Sequence, residues 1–91
     1  MFFAIKIRAM KTSPKSIFDK RYKKLIEALV AIRKNKNITQ RDLAKKANVS
    51  HCCIGRIETR ERRLDLIEFI DLCKVLGLSK KEIIDLVQQI L

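Results

Sequence analysis

Glycine and proline are scarce. Two glycines and one proline stand in 91 residues, and there is no tryptophan. Sandwiches and barrels need many turn residues at their bends, so this scarcity argues for a few helices joined by short loops. Long apolar runs are missing too. None approaches the roughly 20 residues that span a bilayer, so no membrane segment is expected. Lys6 and Arg8 interrupt the opening Met-Phe-Phe-Ala-Ile before it can serve as a signal-peptide core. The three cysteines, Cys52, Cys53 and Cys73, are an odd number without an export signal. That argues against a disulfide framework and fits a reducing, cytoplasmic compartment. A chain of this length implies one domain with a small core and little room for a catalytic cavity.

Acidic residues are the other shortage. Ten Asp and Glu face 21 Lys and Arg, a formal net charge of +11. The imbalance is uneven: residues 1–63 hold 18 basic and 5 acidic side chains, whereas residues 64–91 hold 3 basic and 5 acidic. A basic N-terminal two-thirds joined to a slightly acidic end reads as a face for a polyanion, whether DNA, RNA or an anionic membrane.

Residues 1–15 form a basic arm. Phe3, Ile5, Ile7 and Ala9 alternate with Lys6 and Arg8, a pattern open to two readings: a strand that pairs with a second copy, or an unstructured arm. From residue 16 to the end at 91 the spacing is helical. Tyr22, Leu25, Ile26, Leu29 and Ile32 recur at three- and four-residue intervals, and Asn35-Lys36-Asn37 ends that helix. A start signal then repeats four times, each an apolar residue, a cap and an apolar staple four residues into the helix. The sets are Ile38-Thr39 with Leu43, Val49-Ser50 with Ile54, Leu64-Asp65 with Phe69, and Leu78-Ser79 with Ile83. Asp42, Glu68 and Glu82 stand at the third helical position, and Asn48 and Gly77 serve as stops. These signals predict an all-α fold of five helices near 16–35, 40–47, 51–58, 66–76 and 80–91. Helices two and three are short and separated only by Asn48-Val49-Ser50, which suits either a helix-turn-helix or a plain helical corner.

The segment Thr39-Gln-Arg-Asp-Leu-Ala-Lys-Lys-Ala-Asn-Val-Ser-His-Cys-Cys-Ile-Gly-Arg-Ile-Glu58 resembles the phage repressor/Cro-type helix-turn-helix family, the XRE family. The likeness starts in helix one and runs through Leu72-Cys-Lys-Val-Leu-Gly-Leu78, covering roughly residues 20–80. It implies a five-helix, lambda-repressor-like DNA-binding domain that works as a dimer on a palindromic double-stranded operator, with the helix-turn-helix at 40–58. Carried over by position, Gln40 matches a residue that bonds a DNA phosphate, and Ala44 a small residue that lets helices two and three pack closely. His51, Cys52, Gly55 and Arg56 fall at groove-facing, base-contacting positions of the recognition helix. Arg33 and Glu58 match a largely buried structural ion pair, and Thr59 and Arg60 a loop that contacts the DNA backbone. Two positions depart from the pattern: Asn48 and Arg60 stand where the family usually carries glycine.

The residues support this assignment independently. Ile54 and Ile57 give helix three a core face, leaving His51, Cys52, Gly55 and Arg56 on the other side. One helix fits the major groove, where arginine on guanine is the commonest specific contact. Arg41, Ser50, Arg62 and Arg63 join Gln40, Thr59 and Arg60 as candidate phosphate contacts, with Lys36, Lys45 and Lys46 nearby. His51 beside Cys52 and Cys53 invites a zinc or nucleophile reading, but adjacent helical residues diverge and no second ligand pair has zinc-like spacing. Catalytic residues, metal ligands and cofactors are therefore not expected. The segments 66–76 and 80–91 carry more apolar residues than one core face needs, which predicts a homodimer through them. The function implied is a transcriptional repressor. The alternative is the antitoxin of a toxin–antitoxin pair, whose surplus apolar surface would bind a toxin.

Overall fold

The computed structural model describes residues 19–91, so the arm and the expected helix start at 16 lie outside the described residues. Within these residues there are five helices and no strands: α1 (Lys20–Asn35), α2 (Gln40–Ala47), α3 (His51–Glu58), α4 (Leu66–Val75) and α5 (Lys80–Gln88). The expected helix running unbroken from 16 is corrected. Asp19 is extended (φ −65, ψ 135) and accepts a hydrogen bond from the Arg21 N–H, so α1 begins at Lys20. α4 ends one residue earlier than expected and α5 three, with Leu76 and Gln89 as C-caps.

Local chemistry sets each boundary. Thr39, Ser50, Asp65 and Ser79 cap α2 to α5 by accepting from the N–H of the third helical residue. Asp42, Glu68 and Glu82 complete capping boxes by accepting from the cap's own N–H, at 3.2, 3.1 and 2.8 Å. These bonds satisfy amides that a helix start otherwise leaves unpaired. The stops are equally regular. A left-handed residue follows each of the first four helices: Asn37 (φ 59), Asn48 (φ 58), Arg60 (φ 65) and Gly77 (φ 81). Asn and Gly adopt this conformation readily, whereas arginine does so at a cost.

The core draws on every helix. Ile26 and Leu29 of α1 meet Leu43 and Ala44 of α2, Ile54 and Ile57 of α3, Phe69, Leu72 and Cys73 of α4, and Leu86 of α5. α2 packs on α3 and α4, while α1 packs on α3 and α5. Ala44 is buried in this core, and Val49 donates its N–H to the Ala44 carbonyl at 3.0 Å. The turn between the two short helices is thus fixed at both ends, and α3 is held by its Ile54 and Ile57 side.

Candidate nucleic-acid interface

His51, Cys52 and Arg56 project from α3 into solvent while Ile54 and Ile57 are buried. The 3.6-residue period produces this split, because Ile54 and Ile57 lie three apart on one face. Gly55 lies half-exposed between Cys52 and Arg56. Ser50 caps the helix, its Oγ accepting from the Cys53 N–H at 3.1 Å. Among the described residues the side chains of His51, Cys52 and Arg56 make no hydrogen bond or ion pair, so their polar groups stand open to a partner.

The far end of α3 is anchored by a buried network. Arg33 Nε donates to Glu58 Oε2 at 2.6 Å and Nη2 to Oε1 at 3.0 Å, while Nη1 donates to the Ile38 carbonyl at 2.7 Å. The two side chains are only 8% and 13% exposed, so the forked, charge-assisted pair works with little screening. The pairing implied by the resemblance is therefore present. It ties α1 to α3 and to the residue before the α2 cap. Gln40 adds a bond that the spacing did not reveal: its Nε2 donates to Glu58 Oε1 at 2.8 Å.

The remaining cations divide into two groups. Arg41, Lys36, Lys45 and Lys46 are exposed on α2 and the turn before it. Lys36, Lys45 and Lys46 share a shallow hollow with Ile38 and Asp42. Arg60 is half-buried on its left-handed backbone. Arg62 is engaged: its Nη2 donates to Glu68 Oε2 at 2.6 Å, and this pairing holds the Glu68 carboxyl below its usual range. Arg63 lines a groove with Tyr22, Leu25 and Val87 of α1 and α5. The Thr59 hydroxyl is bonded internally, to the Gly55 carbonyl at 3.1 Å and the Glu61 carboxylate at 3.0 Å. The exposed cations nearest α3 thus stand mainly on the α2 side, while Arg62 is paired with Glu68 and Arg63 lines the groove beside Tyr22.

Tyr22 was visible in the sequence only as an apolar position. Its phenolic oxygen accepts from the Leu64 N–H at 2.9 Å, pinning the loop after α3 to α1 across 42 residues. Cys73 is fully buried, and burial pushes its thiol up to about 11, whereas Cys52 is exposed. No group of three His, Cys, Asp or Glu among the described residues could hold a metal ion. No helix among them is long and apolar enough to cross a membrane.

The helix-turn-helix family model matches residues 29–83. Among solved structures, an XRE-family like protein from Pseudomonas syringae pv. tomato str. DC3000 is 33% identical, with a TM-score of 0.73 over 84% of this chain and 89% of that one. A tyrosine-to-phenylalanine variant of the restriction-modification controller protein C.Esp1396I is 29% identical, with a TM-score of 0.70 over 79% of this chain and 92% of that one. No curated protein matches significantly.

Proposed function

The chain belongs to the XRE-type helix-turn-helix family of DNA-binding transcriptional regulators, and we propose that it acts as a sequence-specific dimeric repressor that inserts α3 into the major groove. One observation carries this reading: His51, Cys52 and Arg56 stand exposed on the side of α3 that faces away from Ile54 and Ile57. Arg56 offers two parallel N–H donors to guanine O6 and N7. Arg41, Lys36, Lys45 and Lys46 supply phosphate contacts that position the helix without specifying sequence. The controller protein among its structural neighbours is consistent with a regulatory role rather than catalysis.

Dimerisation is supported by the apolar surface of the C-terminal half. Leu66, Ile67 and Ile84 are 68%, 64% and 57% exposed, and Leu91 is 94% exposed. A second copy over these residues would place two α3 helices on a palindromic operator, with half-sites about 34 Å apart. The antitoxin reading draws on the same surface. A chain that sediments as a monomer and co-purifies with a toxin would decide for it.

The test is binding selection on random duplexes, followed by the two variants Arg56→Ala and Lys45→Ala. Arg56→Ala is expected to cost about 1–3 kcal/mol on the selected site and to relax preference at one base pair. Lys45→Ala should weaken all sequences alike. Unchanged discrimination by Arg56→Ala would remove Arg56 from the reading face.

A further inference from the structure

The side of α3 turned away from His51 and Arg56 walls a hollow that the DNA reading leaves unused. Buried Ile54, Ile57, Leu64 and Leu72 form its floor, and Ala47, Val49 and Val75 its sides. It is half-open and holds about 380 Å³, within the range of small-molecule sites. Val49 is 42% exposed, a large aliphatic side chain left to water on a concave surface. Half-buried Cys53 lies among these residues, and no aromatic ring does. Five charged residues border the hollow. Arg62 and Glu68 are spent on each other at 2.6 Å. Exposed Lys46, Lys74 and Asp71 remain, and among the described residues neither lysine makes a hydrogen bond or ion pair. Lys46 borders this hollow as well as the one beside Lys45. Two ammonium groups against one carboxylate leave an excess of one positive charge beside an aliphatic surface.

We propose that this hollow binds a small aliphatic monocarboxylate, its chain on Ile54, Ile57 and Leu72 and its carboxylate between Lys46 and Lys74. The lining chemistry selects each part. Aliphatic walls favour an alkyl chain over a polar ligand, because burying an unpaired polar group is costly. An excess of one positive charge balances a monoanion. A dianion would leave one charge facing Asp71 without compensation, and a cation would be repelled by both lysines. Each CH₂ that is buried tightens binding about fourfold until the hollow is full. The site is separate from the reading face: Ile54 and Ile57 meet the chain, while His51, Cys52 and Arg56 stand on the other side of α3. Cys53 lies at the ligand's edge of that helix and reports whether the hollow is filled.

Calorimetric titration of the full chain with octanoate, octan-1-ol and octyltrimethylammonium tests the proposal. Octanoate is expected to bind at a single site, octan-1-ol about 3- to 30-fold more weakly, and the cation not measurably. Hexanoate, shorter by two CH₂ groups, should bind about 10- to 20-fold more weakly than octanoate. Replacing both lysines, Lys46→Ala with Lys74→Ala, should bring octanoate down to the level of octan-1-ol and leave octan-1-ol unchanged. Val49→Asp, at an exposed position, should weaken both. Cys73 is fully buried, so a Cys52→Ser variant leaves Cys53 as its accessible thiol. Saturating octanoate should slow alkylation of that thiol by iodoacetamide several-fold. Thermal melting of each variant establishes that the fold is kept. The proposal is overturned by the absence of octanoate binding, by equal affinity for all three head groups, or by an unchanged alkylation rate. Octanoate affinity that survives the double lysine variant yet falls with salt is attraction to the basic surface at large, and it overturns the site too.

Discussion

Glu58 accepts from two residues on two other helices, and α3 owes its placement to that carboxylate. Removing it leaves the Arg33 guanidinium buried with only the Ile38 carbonyl. Such a loss costs about 3–5 kcal/mol, so Glu58→Ala should unfold at markedly lower urea than wild type, a shift that equilibrium denaturation would report. Arg60 is the reverse case, a side chain on a backbone conformation better suited to glycine. Arg60→Gly should stabilise the fold by about 0.5–1 kcal/mol, the relief of left-handed strain being partly offset by glycine's greater chain entropy. A higher melting temperature would show it, and a shallower salt dependence of DNA binding would show the lost cation. The resemblance flagged both positions. What sequence spacing could not show was Gln40 on Glu58, a bond between residues 18 apart that exists only because α2 and α3 pack together.

Helix starts and stops follow local rules, and they were legible almost to the residue. The repeated apolar–cap–staple signal located α2 to α5, since each capping bond spans at most three residues. α1 was misplaced because its cap, Asp19, lacks the apolar staple that marks the other four helix starts. The caps also set the acid response. Asp19 is held down to about 2 by the Arg21 side chain and then by its N–H. Asp42 and Glu82 are lowered chiefly by backbone N–H bonds from Thr39 and Ser79. Carboxyls lowered in the folded state stabilise it fully above their unfolded values near 4, and lose that contribution as pH falls through the folded ones. Melting temperature should therefore be level above about pH 5 and drop between about pH 4 and 2. A decline beginning near neutrality, in melts followed by circular dichroism, would contradict the assignment to these caps.

Across the molecule, exposed large hydrophobics and most surface cations are segregated among the described residues. Apart from Val49 at 42%, the exposed large hydrophobics of residues 19–91 begin at Leu66, within the segment where acidic residues outnumber basic ones. If that surface holds two copies together, Ile84→Asp should yield a monomer in sedimentation without loss of melting temperature, since Ile84 is 57% exposed and leaves no cavity. Binding to a single half-site should survive, while binding to the palindrome falls. A variant that stays dimeric would move the interface elsewhere.

By itself the sequence determined the helical class, the helix order, the two-sided character of α3 and the concentration of basic charge before residue 64. These depend on caps, periods and composition, all readable within a few neighbouring residues. Only the tertiary structure decided which polar groups meet: Gln40 with Glu58, Arg62 with Glu68, and Tyr22 with the Leu64 amide. No periodicity predicts those contacts, because they join separate elements and depend on how α3 packs against α2 and where the loop after α3 turns back toward α1.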